Sequence, residues 1–262
     1  MKTLQDPKQL DSAIENLEEL QSKFSKNKPL IFLDFDGTLA PIVENHEDAG
    51  MDDETRKIVK KLSQKYAIAV VSGRGLSDVR DKVGLTDIYY AGSHGFEIAG
   101  PNNFEKDNEE AEKMLPVFNE IEEILQQKLK VIDGVRFERK KFTLAIHYRQ
   151  VAEDKISEFH KIIENEIQNY PKLHKGDGKK VVEIKPNIDW HKGKAVNFLR
   201  KELSEEENPF SIYLGDDTTD EDAFREMENG IGILVGEHAD DSYADYRVEN
   251  IEEVKQFLNS LL

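Results

Sequence analysis

Residues 29–35 read PLIFLDF, an unbroken run of bulky apolar side chains that closes on acid. A strand buried on both faces of a parallel sheet has this composition, whereas a half-exposed strand alternates apolar with polar residues. A charged amphipathic stretch follows at 52–66, and AIAVVSGR at 67–74 is a second buried strand that ends in small residues. Strand, helix, strand in that order implies a right-handed crossover and a parallel sheet. The rhythm returns with FSIYLGDD at 210–217, an acidic helix to 229 and GIGILVG at 230–236, and the closing IEEVKQFLNSLL has the period of an amphipathic helix.

Between 102 and 187 the grammar changes. The pattern predicts a long helix over 105–130, paired strands at VRFERK and FTLAIHYR, a helix over 153–169, and two more strands at KLHKGD and KVVEIKP. Helix, strand, strand, twice over, predicts an antiparallel sheet with two helices on one face, an α+β module. The expected organisation is an α/β protein: a doubly wound, mostly parallel Rossmann-like core in two segments, 1–101 and 188–262, with a cap inserted at 102–187. The first twenty residues carry acid and no apolar signal core, so a surface helix is expected there rather than an export signal.

A net charge of −17 opposes nucleic acid and anionic membranes at long range, so neither is an expected partner. An anionic substrate would need a local cluster of cations. With zero cysteines there is no disulfide, thiolate nucleophile or thiolate metal ligand, which suits a reducing compartment. No apolar run approaches the roughly 20 residues that span a bilayer. A soluble, cytoplasmic, monomeric protein is expected.

Four motifs carry chemistry. Asp34 and Asp36, in DFDGT, follow the first buried strand, where ligands bind in open parallel sheets. Two carboxylates two residues apart can share one hard cation through oxygen, and Mg²⁺ is the natural choice. Taken alone, Asp36-Gly37 is also an ordinary turn sequence. Ser72-Gly73-Arg74 ends the second strand; its hydroxyl, backbone N–H and guanidinium fork suit phosphate oxygens, although Ser-Gly ends many strands. His191-Lys192-Gly193-Lys194 opens a helix, where a lysine and free N–H groups suit an anion or simply meet solvent. Asp216 and Asp217, in GDDTTDED, follow a further buried strand. Acids at a helix start are ordinarily caps, but two adjacent ones after a buried strand repel unless a cation lies between them.

In this order the motifs resemble those of the haloacid dehalogenase-like superfamily. That resemblance implies Asp34 as a nucleophile forming an aspartyl-phosphate and Asp36 as general acid and base. Ser72 and Lys192 would neutralise phosphoryl oxygens, while Mg²⁺ would be held by Asp34, Asp36, Asp216 and Asp217. In related enzymes the metal takes the backbone carbonyl at the Asp36 position. LDFDGTLAPI, VVSGR, GSHGFEI, HYR, VVEIKP, HKGKA and GDDTTDEDAF together look like the trehalose-6-phosphate phosphatase family with its C2B-type cap.

The family's activity is hydrolysis of trehalose 6-phosphate to trehalose and phosphate, the last step of trehalose biosynthesis. In this chain that implies Arg74, His94 and Glu97 near the substrate, Glu138, Lys140 and Glu183 on sugar hydroxyls from the cap, and any synthase as a separate chain. Charges alternating along an antiparallel strand are also what a solvated face shows. Where the family often has Asn or Asp before Lys-Gly, this chain has His191, and both Lys192 and Lys194 stay open for the phosphate contact. Two other readings compete: a phosphatase of sucrose 6-phosphate or mannosyl-3-phosphoglycerate, and a non-catalytic sugar-phosphate sensor.

Overall fold

A computed structural model describes residues 2–43, 48–178, 180–237 and 240–262. The chain forms two compact units, Met1–Lys106 with Trp190–Leu262, and Asp107–Asp189. The first segment runs β1 (Asp11–Ser12), α1 (Leu17–Lys26), β2 (Leu30–Leu33), α2 (Asp53–Leu62), β3 (Ile68–Val71), α3 (Leu76–Val83), β4 (Tyr89–Gly92), β5 (Glu97–Gly100) and β6 (Phe104–Asp107). Then come α4 (Glu109–Glu112), α5 (Leu115–Leu129), β7 (Arg136–Arg139), β8 (Leu144–His147), α6 (Glu153–Ile167), β9 (Leu173–Gly178) and β10 (Val181–Pro186). The chain closes with α7 (Lys192–Leu203), β11 (Ser211–Gly215), α8 (Glu221–Glu226), β12 (Gly230–Val235), β13 (Tyr246–Val248) and α9 (Ile251–Ser260).

The first unit is built on one sheet of order β1-β13-β12-β11-β2-β3-β4-β5-β6. It is parallel from β1 to β4 and turns antiparallel at β5. Every residue of β2, β3 and β11 is buried, because alternate side chains enter two separate cores. Ile31, Leu33, Val70 and Leu214 pack with α1, α2 and α9 through Leu20, Val59 and Phe257. Phe32, Val71 and Tyr213 pack on the other face with α7 and α8 through Val196, Leu199 and Phe224. This two-sided burial is the doubly wound α/β arrangement expected from the uninterrupted apolar runs.

Two expectations are corrected. The N-terminal stretch is not one helix: Asp11–Ser12 pairs in parallel with Tyr246 and Arg247 of β13, and the helix starts only at Leu17. The predicted helix over 105–130 is also divided. Phe104–Asp107 is an edge strand, Glu109–Glu112 a single turn capped by Asn108, and α5 starts afresh with Pro116 in its first turn, where the missing N–H costs nothing. Because β6 extends the main sheet beside β5, the first unit runs on to Lys106 rather than stopping at 101.

The second unit holds an antiparallel sheet of order β7-β8-β10-β9. Leu144, Ile146, Val182 and Ile184 cover α5 and α6 through Phe118, Ile121, Phe159 and Ile163. Both helices pack on one face, and Glu138, Ala145 and Glu183 are in register across the sheet. Among the described residues no helix is long and apolar enough to cross a membrane.

Candidate active site

At the carboxyl ends of β2 and β11 the sequence switches from buried apolar to acidic, and register brings the two ends together. Asp34 N–H donates to Leu214 O at 2.9 Å, which sets Asp34 beside the strand that ends just before Asp216. Gly37 has φ +81°, and a Cβ there would stand 2.0 Å from Asp216 Oδ2, so only glycine lets the DFDGT turn pass the second aspartate. Gly215 is required in the same way: its Cβ would lie 2.4 Å from Asp220 Cγ. With that space open, the turn at Thr218–Asp220 curls Asp220 back over the strand end.

The result is a cluster of Asp34, Asp216 and Asp220, each with a carboxylate oxygen within 4.8 Å of the others. Lys192 Nζ, at the start of α7, donates to Asp34 Oδ1 at 2.8 Å and to Asp220 Oδ1 at 2.7 Å, and its side chain is only 4% exposed. Lys192 therefore reaches the nucleophile candidate. Tyr213 donates its hydroxyl to Asp220 Oδ1 at 2.5 Å, and Asp217 N–H donates to Asp220 Oδ2 at 3.0 Å. Asp216 Oδ1 is buried with no hydrogen-bond partner.

Three carboxylates against one ammonium leave excess negative charge in a buried place. Burial pushes the Asp34 carboxyl well above its ordinary range, and the charges of Asp220 and Asp216 add to this against the pull of Lys192. Asp216 is pushed up to about 7, by burial first and then by Asp220. Lys192 is held charged despite its burial by Asp220 and Asp34. A hard divalent cation fits this donor set: it would accept the orphaned Asp216 oxygen, bind through oxygens alone and remove the repulsion that raises these acids.

The remaining expected site residues divide into three groups. Asp36 and Asp217 stand outside the three-carboxylate cluster. Both Asp36 oxygens accept from Arg74, Nε and Nη2 each at 2.7 Å, while Arg74 Nη1 donates to Asp78 at 2.8 Å. Asp217 caps the turn before α8 and accepts from the Thr218 hydroxyl at 2.8 Å; burial works to raise its carboxyl, and the Thr218 hydrogen bonds and the Lys192 charge outweigh it and hold it low.

Ser72, at the end of β3, is 1% exposed and its Oγ accepts from Arg74 N–H. A left-handed turn at Ser93, His94 and Gly95 packs against it, with His94 N–H on Ser72 O at 2.9 Å and the Ser93 hydroxyl on Glu97 at 2.7 Å. Three consecutive positive φ values, two of them at non-glycine residues, are strain of the kind that concentrates at functional sites. In the second unit Lys140 Nζ lies 4.0 Å from Glu138 and 3.8 Å from Glu183, and Glu138 Oε2 accepts from His147 Nε2 at 2.8 Å. Sequence reasoning missed Asp220, hidden with Glu221 and Asp222 among acids that read as helix caps, and Tyr213, which reads as a core aromatic.

A twisted parallel sheet carrying acids at two adjacent strand ends, a buried lysine between them and a separate α+β unit inserted before that lysine defines the haloacid dehalogenase-like class. Residues 32–252 match the Trehalose-phosphatase family model, and the chain belongs to that family. A plant relative, the probable trehalose-phosphate phosphatase C of Arabidopsis thaliana, is 38% identical over 96% of this chain and 82% of its own. The crystal structure of a trehalose-6-phosphate phosphatase related protein is 28% identical, with a TM-score of 0.73 over 87% of this chain and 95% of that one. The C-terminal domain of C. albicans trehalose-6-phosphate phosphatase shares the fold, with a TM-score of 0.76 at 23% identity over 96% and 98% of the two chains.

Proposed function

We propose that this chain hydrolyses trehalose 6-phosphate to trehalose and phosphate through an aspartyl-phosphate on Asp34, with Mg²⁺ as cofactor. The observation that carries the chemistry is the placement of Lys192 between Asp34 and Asp220 beside the orphaned oxygen of Asp216. Family membership carries the choice of substrate.

An Asp34 carboxylate oxygen bonds to phosphorus as the bond from phosphorus to the sugar oxygen breaks. Asp36 gives a proton to that leaving oxygen, and then takes one from the water that attacks phosphorus and releases Asp34. Arg74 grips both Asp36 oxygens, which fixes the orientation of this carboxyl. Lys192 and Ser72 offset charge on the phosphoryl oxygens, the main need of a loose phosphoryl transition state. Asp34, Asp216 and Asp220 would hold Mg²⁺, with Asp217 supporting them, and the ion supplies charge neutralisation at the phosphate and lowers the carboxyl range of its ligands. His94 and Glu97 flank the phosphate side of the sugar. Glu138, Lys140 and Glu183, three charged groups with the Lys140 ammonium within 4.0 Å of both carboxylates, are assigned to glucose hydroxyls; fixing several at once rejects esters that lack them.

The test is phosphate release with Mg²⁺ across trehalose 6-phosphate, sucrose 6-phosphate, mannosyl-3-phosphoglycerate and simple hexose phosphates. Trehalose 6-phosphate is expected to lead in kcat/KM; equal rates on hexose phosphates would overturn the substrate, and binding without release would make the chain a sensor. Asp34→Asn, isosteric but a poor nucleophile and ligand, is expected to abolish turnover with an unchanged circular dichroism spectrum. Near-normal activity in that variant would overturn the covalent route.

A further inference from the structure

Tyr213 has no part in the chemistry just described, yet its hydroxyl ends on the acidic cluster. Its side chain is fully buried in β11, in register with Phe32 of β2 and Gly232 of β12. The ring meets Phe224 of α8 edge to face, with centroids 5.6 Å apart at 88°. Phenylalanine would fill that space equally well, and a core hydroxyl is costly unless it is partnered. What needs explaining is therefore the O–H, and it donates to Asp220 Oδ1 at 2.5 Å.

That oxygen is also the one that accepts from Lys192, while Asp217 N–H occupies Oδ2. Three donors on two oxygens leave the Asp220 carboxylate no freedom to rotate. Lys192 is shared between Asp220 and Asp34, so the orientation of Asp220 decides where the ammonium sits on Asp34. Remove the phenol donor, and Asp220 can turn about its Cβ–Cγ bond, carrying Lys192 away from Asp34 and changing the spacing of the three carboxylates.

We propose that Tyr213 is a positioning residue: its hydroxyl fixes Asp220, and through Asp220 and Lys192 it sets both divalent-cation affinity and the rate of attack by Asp34. The second half of this statement rests on the phosphatase reading above; the first half does not. Groups that orient metal ligands typically change affinity or activity by about 10–100-fold when lost.

The experiment compares full-length Tyr213→Phe with wild type, and uses Tyr90→Phe as the structural control. Tyr90 is another buried tyrosine of the same sheet, whose hydroxyl donates to Leu85 O at 2.6 Å. Titration calorimetry with MgCl₂ alone, without substrate, is expected to show roughly 10–100-fold weaker binding in Tyr213→Phe and none of that loss in Tyr90→Phe. At saturating Mg²⁺, kcat is expected to fall by a similar factor while KM for the sugar phosphate stays within about threefold. Wild-type Mg²⁺ affinity and kcat in Tyr213→Phe, with only a lowered melting temperature like that of Tyr90→Phe, would overturn the proposal.

If Tyr213→Phe does not fold, Phe224→Leu loosens the ring and keeps the hydroxyl; weakened Mg²⁺ binding there supports the assignment and unchanged binding overturns it. Failure of the phosphatase reading would appear separately, as absent phosphate release by wild type, and would leave the cation titration valid.

Discussion

Gly37 shows how one residue can hold a site without touching a ligand. Its φ of +81° and the 2.0 Å approach of Asp216 to its absent Cβ make alanine doubly unacceptable there. Gly37→Ala is expected to weaken Mg²⁺ binding by roughly 10–100-fold, read by calorimetry, because Asp216 must move aside. Backbone strain of about 1–2 kcal/mol should also lower the melting temperature. Wild-type affinity in that variant would separate the turn from the cation site. Much of this chemistry is legible in the sequence: Asp34 and Asp216 each follow a buried apolar run, and that position carries meaning in a parallel sheet. Asp220 was not legible, because DTTDED offers several acids and only the turn at Thr218–Asp220 decides which one curls back. Nor could spacing say that Asp36 would be taken up by Arg74, 38 residues away.

At the scale of elements, α2 illustrates a helix fixed at its start. Asp52 accepts from Thr55 N–H as N-cap and pairs with Lys255 of α9 at 2.8 Å, so one side chain joins two helices. Burial works to raise its carboxyl, but Lys255 and Thr55 outweigh it and lower the value to about 2. A carboxyl lowered from an ordinary value of 3.8 contributes stability above that pH and loses it as pH falls through about 2. Asn also caps well, so Asp52→Asn isolates the charge: wild type is expected to exceed the variant by up to about 1 kcal/mol at pH 5, and the gap should close by pH 2. Thermal melts of both proteins across that range check it, and a gap independent of pH would refute it.

The long buried strands were legible because their apolar runs are unbroken. The short strands β1, β5 and β6 were not: DS, EIAG and FEKD have no period long enough to read, and pairing decides them, for β1 with β13 far along the chain.

For the whole molecule, the two units differ in how they are cut from the chain. Asp107–Asp189 is continuous and carries its own core, from Phe118 and Ile121 to Val182 and Ile184. Expressed alone, it is expected to melt cooperatively with a stability on the order of 3–5 kcal/mol. Absence of a near-ultraviolet circular dichroism signal from that fragment would show its core to be insufficient. The other unit is discontinuous, and its central strand β2 has β3 on one side and β11 on the other. Lys192 and Asp34, which touch, stand 158 positions apart. During synthesis, then, Asp34 emerges early and waits without its counter-ions while the whole inserted unit is made. Not until translation has passed Asp220 are the three carboxylates and Lys192 all present, so a prematurely terminated product lacks this cluster however well its first half folds.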